Sequence, residues 1–189
     1  MSIAAAAAGL RGAGLLAVGR AEGLLLIAAC RDRPWVGFWA LPLTIVIVAA
    51  FRRLVWGPAG NPGAAGVPLL RDMMAFTVGW LAFAVLTHRL SLALSRGPRW
   101  PGFITAWNWS NLIANLLIIA GLLPGLFGAP AAVDQAAQLI MAGWALWLEW
   151  FVTRVTLGVT PLTAVLFVLL DQAIELLLAV VGASPGTGA

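Results

Sequence analysis

Two carboxylic acids, Asp171 and Glu175, stand four residues apart within an apolar stretch that runs from Pro161 to Gly182. Residues with this spacing lie on one face of a helix. An acid at the centre of a membrane helix costs roughly 2.5–3.5 kcal/mol, and each Leu, Ile, Phe or Val offsets about 0.3–0.6 kcal/mol. The stretch holds thirteen residues of those four types, so their total gain nearly cancels the cost of the two acids. The carboxyls therefore need internal partners, either as hydrogen-bonded links between helices or as a site for a proton or cation.

Three asparagines repeat at helical spacing in an earlier apolar stretch. Asn108, Asn111 and Asn115 fall on one face of a helix, together with Thr105. Lipid offers no hydrogen-bond partner, so we expect this face to point into a helix bundle. The face is typical either of structural hydrogen bonding between helices or of a lining for water or solute.

A third polar face contains Gln135, Gln138, Ala142, Ala145, Glu149 and Thr153. Its small residues permit close approach of another helix. Counted from the predicted cytoplasmic helix ends, Asp171 lies at a depth similar to those of Asn111 and Asn115. We therefore predict a polar intramembrane site made of Asp171, Glu175, Asn108, Asn111, Asn115 and Glu149. We also predict a charged cytoplasmic mouth made of His88, Arg89 and Arg154.

The elements that position these residues follow from composition. The chain has 189 residues, of which 62% are hydrophobic and 10% are charged, and its mean hydropathy is +0.98. About 20 apolar residues are needed to cross a bilayer as a helix. We predict one integral membrane domain over residues 1–189, an all-α polytopic transmembrane helix bundle. Its five expected spans are residues 35–52, 69–90, 102–123, 131–152 and 161–182.

The first 30 residues are apolar, but Arg11, Arg20 and Glu22 interrupt them. Central charges disfavour a span, so we expect an amphipathic helix that lies flat at the membrane interface. Cys30 is the only cysteine, which excludes an intrachain disulfide. The box Ile27–Cys30 is similar to a lipoprotein cleavage site, although its apolar lead-in is short, and an ordinary thiol is the alternative.

The distribution of arginine predicts the orientation, because cytoplasmic loops are enriched in positive charge. A cytoplasmic N-terminus places eight arginines inside and three outside, and the chain has no lysine. The outside three are Arg52, Arg53 and Arg71. The arginines lie at the ends of apolar stretches and not on one polar segment, so the sequence does not predict nucleic-acid binding.

Motifs for catalysis and cofactors are not found in the sequence. There is no His/Cys/Asp metal spacing, no Gly-x-Ser-x-Gly nucleophile elbow, and no lysine to complete a phosphate loop. We therefore expect no enzymatic activity, no metal and no cofactor.

Three different short motifs follow one another along the chain: Gly37-Phe38-Trp39, Trp107-Asn108-Trp109-Ser110 and Trp150-Phe151-Val152, followed by Asp171. In their order the chain resembles a family of small, uncharacterised polytopic inner-membrane proteins of alphaproteobacteria, distantly similar in layout to Yip1-type proteins. The resemblance implies a multi-pass protein of the bacterial inner (cytoplasmic) membrane. It implies no mechanism and no site residues.

The sequence is compatible with two main functions. The first is a non-enzymatic scaffold, assembly factor or subunit of a membrane complex, which recognises a membrane-protein partner through helix faces because the loops are short. The alternative is a small transporter or channel that uses Asp171, Asn111 and Asn115 for a proton, ion or polar solute. Five spans enclose only a narrow pore, so a homo-oligomer would favour the alternative. An intramembrane enzyme is a third, less favoured interpretation.

Overall fold

The computed structural model describes residues 3–28, 34–56 and 66–183, and within these ranges it contains helices and no β-strand. Two short 3₁₀ helices, Pro34–Trp39 and Gly97–Arg99, precede the third and fifth α-helices. The α-helices are α1 (Ile3–Ala17), α2 (Gly23–Ala28), α3 (Ala40–Trp56), α4 (Gly66–Ala93), α5 (Trp100–Leu126), α6 (Ala131–Leu157) and α7 (Pro161–Ala183). The predicted all-α helix bundle is confirmed.

Local sequence explains where the long helices end. Gly158 follows α6 with φ +63°, and its N–H donates to the Arg154 carbonyl at 3.0 Å. Glycine adopts this left-handed conformation without strain, so it ends helices efficiently. Pro161 then begins α7 as predicted, and the Thr160 hydroxyl accepts the Thr163 N–H at 3.2 Å. This pairing is the usual hydrogen bond of an N-cap threonine.

Four helical segments of the described chain are long and apolar enough to cross a membrane. They are Gly37–Val55, Pro68–Ala93, Gly97–Leu126 and Pro161–Val181. The protein is therefore described as a multi-pass membrane protein. α6 is equally long, with 27 residues, but it is not among the four. It carries Asp134, Glu149 and Arg154, which lower its hydropathy, and its role as a fifth span stays a prediction.

Several predicted boundaries need correction. α5 continues to Leu126, through Pro124 and Gly125, where we expected a turn. Proline removes a hydrogen bond from a helix interior, but only two residues of α5 follow it, and the turn forms at Gly128 with φ +76°. The other helices extend further than predicted, since α4 reaches Ala93 and α6 reaches Leu157.

The N-terminal segment contains two helices and not one. α1 and α2 form a tight hairpin, in which a Cβ at Gly12 would lie 2.7 Å from the Gly23 carbonyl oxygen. The buried side of α1 packs on α5, so the N-terminal segment is packed against the rest of the bundle. The Arg20–Glu22 ion pair is exposed at the turn. The predicted position of the segment at a membrane interface stays a prediction, and Cys30 lies outside the described residues.

α5 is the central helix of the bundle. It packs along α6 and also contacts α1, α2, α3 and α4, while α7 packs against α4 and α6. At one end, here called the Trp100 end, Arg99 Nη1 donates to the Leu157 carbonyl at 3.1 Å. At the opposite end, here called the Pro130 end, Arg52 of α3 pairs with Asp72 of α4.

Tight packing is concentrated in the half of the bundle nearer the Trp100 end. Aromatic rings of α4, α5 and α7 meet there: Phe83 stacks on Trp107 with centroids 4.3 Å apart, and Phe103 meets Phe167 edge-on at 5.7 Å. In the other half, α5 side chains such as Leu122 and Leu126 are exposed. The bundle is therefore closely packed at one end and open at the other.

We predict opposite effects of alanine at two glycines of α1. A Cβ at Gly9 would lie 2.3 Å from the ring of Trp109, which is fully buried and cannot move away. Gly9→Ala should therefore destabilise the protein by about 1–3 kcal/mol through overpacking. Gly14→Ala is the matched control, because nothing lies within 4 Å of its Cβ position.

The control should stabilise the helix by about 0.5–1 kcal/mol, since alanine is the better helix former. Unfolding of both variants in detergent, followed by circular dichroism during an SDS titration, measures the difference. Equal stability of the two variants would show that α1 does not dock on Trp109.

Candidate functional site

A cavity of about 170 Å³ lies between α5, α6 and α7. Side chains of all three helices line it, and most of the residues predicted from the sequence are among them. Its polar lining consists of Asn111, Asn115 and Ser110 of α5, Glu149 of α6, and Asp171, Gln172 and Glu175 of α7, with Trp107 beside them. The predicted polar faces of α5, α6 and α7 thus meet in one place.

Three carboxyl groups share this cavity without a neighbouring cation. Asp171 is half-buried, and Glu175 is exposed at the open side of the cavity. Glu149 Oε1 is fully buried and has no hydrogen-bond partner among the described residues. Trp107 lines the same cavity as the Glu149 carboxyl. No arginine or histidine is among the lining residues, so within the described part of the chain no positive side chain in the cavity neutralises these acids.

Neutral oxygen and nitrogen atoms complete the lining. Asn115 Nδ2 donates to the Asn111 carbonyl at 2.9 Å and to Asn111 Oδ1 at 3.2 Å. This bond holds the two amides side by side on one turn of α5. Ser110 is 3% exposed, yet its Oγ has no hydrogen-bond partner among the described residues. A buried unpartnered hydroxyl costs about 1–3 kcal/mol, which a ligand or water in the cavity would offset.

Asn108 is the one predicted site residue that does not line this cavity. It is 0% exposed, and its Oδ1 accepts the Trp80 indole N–H at 2.7 Å. The asparagine face of α5 therefore divides into two parts. Asn108 links α5 to α4 as structural hydrogen bonding, whereas Asn111 and Asn115 face the cavity.

The residues predicted as a charged mouth lie at the Trp100 end and outside this cavity. His88 is exposed and meets the Trp100 ring edge-on, with centroids 4.8 Å apart. Arg89 is also exposed, and the Arg154 guanidinium lies over the Trp150 ring at 5.4 Å. No ion pair joins Arg154 to Glu149 among the described residues. These three side chains are therefore not part of the polar site.

Ser110 and Gln172 were missed as site residues. A signal for Ser110 was present, because it lies within one helical turn of Asn108 and Asn111. Trp107, which also lines the cavity, and Trp109 are buried, with exposures of 2% and 0%. Hydropathy cannot separate a buried indole from an interfacial one, because both positions favour a large amphipathic ring.

The lining chemistry suits protons and small monovalent cations better than a chelated metal. In the described part of the chain, no three His, Cys, Asp or Glu side chains converge as a metal site. The carboxyls are spread along the cavity wall and alternate with amides and a hydroxyl. Such oxygen-rich surfaces hold hard cations or ammonium groups through several weak contacts.

We predict that Trp80 and Asn108 are energetically coupled. In a double-mutant cycle with Trp80→Phe and Asn108→Leu, the coupling should be about 0.6 kcal/mol and at most about 1.7 kcal/mol, the range for interhelical hydrogen bonds in membranes. Unfolding in detergent gives the four free energies. Trp39→Phe combined with Asn108→Leu is the control, because Trp39 is half-exposed. Additive effects for Trp80 would show that the bond does not contribute to stability.

Comparison with protein-family models, with curated proteins and with solved structures finds no match for the chain in any of the three. The geometry of the cavity is therefore the basis on which we assign a function. That geometry combines three acids, two adjacent amides and an unpartnered buried hydroxyl on three packed helices.

Proposed function

We propose that the protein binds a proton or a small monovalent cation in the cavity between α5, α6 and α7, and transports it across the membrane. The observation that carries this proposal is the shared lining of Glu149, Asp171 and Glu175 in a cavity without a positive side chain. Acids inside a membrane bundle are costly and mark ion pathways or proton relays.

Electrostatics favours an occupant that is positive. Carboxylates of like charge repel one another, and burial removes the water that would screen them. The Arg52–Asp72 ion pair is elsewhere in the bundle and does not compensate these acids. The negative charge of these carboxylates must therefore be neutralised by bound protons or by a bound cation. If a proton replaces the cation at the same site, cation transport is coupled to a proton gradient.

The size and lining of the cavity limit the occupant. One water needs roughly 10–15 Å³ of such space, so about 170 Å³ admits a hydrated ion or a small amine. Asn111, Asn115 and Ser110 offer neutral ligands that replace hydration without adding charge. Trp107 also lines the cavity, and indole is the aromatic ring that attracts cations best.

We predict that Asp171→Asn abolishes cation transport. Purified protein in liposomes, under an applied gradient, should move protons, Na⁺, K⁺ or methylammonium. The variant should lose at least about tenfold in flux, a difference of about 1.4 kcal/mol in the overall barrier. Glu149→Gln should do the same. Glu22→Gln is the matched control, since this exposed acid pairs with Arg20 and does not line the cavity.

Equal flux in the wild type and Asp171→Asn would contradict the proposal. So would a wild type that neither binds nor moves any of the four cations. In the latter case, a partner that co-purifies in mild detergent and is identified by mass spectrometry would favour a scaffold.

The second candidate is the scaffold, assembly factor or complex subunit expected from the sequence. The observation that favours it is α6, which is 27 residues long but is not among the four segments apolar enough to cross a membrane. Its Gln135 is exposed, against our expectation that this residue shares the inward face. A helix of this kind is better covered by another membrane protein or a second copy than by lipid. For either function we propose the bacterial inner membrane, with a cytoplasmic N-terminus.

A further inference from the structure

A second cavity, of about 530 Å³, lies at the Pro130 end between α3, α5 and α6. Asn115 and Ile118 line both cavities, so the two meet at these side chains. The second cavity also contains Arg52 of α3 and Asp134 and Gln138 of α6. The Asp134 carboxylate accepts the Gly125 N–H and the Gln138 side-chain amide, each at 2.9 Å.

The two cavities follow the same helix faces. On α5, lining residues recur at Trp107, Asn111, Asn115, Ile118, Leu122 and Leu126, three or four apart. On α6, they recur at Asp134, Gln138, Ala142, Ala145 and Glu149 with the same spacing. From Asn115 to Leu126 is about 16 Å at 1.5 Å per residue. A continuous line of cavity-lining residues thus runs along the α5–α6 seam from the acids towards the Pro130 end. In the second cavity, Arg52, Asp134 and Gln138 add polar groups to a lining that is otherwise largely apolar.

The opposite side of the first cavity is sealed by apolar side chains. One helical turn nearer the Trp100 end stand Phe103 of α5, Val152 of α6 and Phe167 of α7, and each is 0% exposed. The Phe103 and Phe167 rings touch edge-on. A close-packed apolar layer excludes water and ions, so the described residues form no polar route from the acids to the Trp100 end.

We propose that the acid-lined cavity has one-sided aqueous access: a cation reaches Asp171 from the Pro130 end, through the second cavity and past a constriction formed by Asn115 and Ile118. This inference rests on the proposed function for the identity of the occupant. The orientation predicted from arginines places this access outside the cytoplasm. The apolar layer of Phe103, Val152 and Phe167 is the barrier that must open for release on the other side.

Cysteine accessibility tests the route without measuring transport. Cys30→Ser removes the only native thiol, and single cysteines are then placed at Ala145 in the first cavity and at Gln138 in the second. The full-length protein in liposomes is treated with a membrane-impermeant cationic methanethiosulfonate. Cysteines at Phe127 and Leu94, exposed beyond the two bundle ends, report which end faces the reagent.

We expect both cavity cysteines to react at least about tenfold faster from the Pro130 end, a barrier difference of about 1.4 kcal/mol. Leu139→Cys, 75% exposed on the outer surface of α6, is the matched control and should not react from either end. Ile118→Trp should slow the reaction at Ala145→Cys but not at Gln138→Cys. Ile140→Trp, on the outer surface of α6, should change neither.

Faster reaction of Ala145→Cys from the Trp100 end would overturn the route, and so would reaction at Gln138→Cys with none at Ala145→Cys from either end. Neither result decides whether the protein transports a cation, because flux is measured separately. Conversely, one-sided labelling combined with unaltered flux in Asp171→Asn would support the route and reject the proposed occupant, so the two failures are distinguishable.

Discussion

Polar side chains within this bundle have no hydrogen-bond partners in lipid, and this constraint organises the structure. The long helices therefore turn their polar faces towards one another, around α5. Where two polar groups can meet directly, as Trp80 and Asn108 do at 2.7 Å, the result is a fixed link between helices. Where α7 stands away from α5, the acids instead surround a cavity.

The polar faces form a direct hydrogen bond in one place and a cavity in another because aromatic packing is uneven along the bundle. In the Trp100 half, rings such as Phe83, Phe103 and Trp107 fill the space between α4, α5 and α7. Beyond them the helices carry alanines and short polar groups, which leave space between the backbones. The position of the last aromatic layer thus sets the depth of the cavity, and Asp171 lies one helical turn beyond Phe167.

Much of the candidate site could be read from helical periodicity. Asp171, Asn111 and Asn115 were grouped by their similar depth, and Glu175 and Glu149 were added from their helix faces. One cavity contains all five. Periodicity could not exclude Asn108, since its partner Trp80 is 28 residues away and belongs to another helix. It also could not place His88, Arg89 and Arg154, because charges at helix ends look alike whether they border a cavity or the surface.

The sequence by itself determined the helical class, the apolar segments and which face of each helix is polar, because these depend on composition and on the helical repeat. Only the tertiary structure decided how the N-terminal segment folds back as α1 and α2 against α5. It also decided that Ser110 is buried beside the acids without a partner among the described residues, and that two cavities share Asn115 and Ile118 in their linings. These features depend on distances between helices, and such distances are set by side-chain packing between residues far apart in the chain.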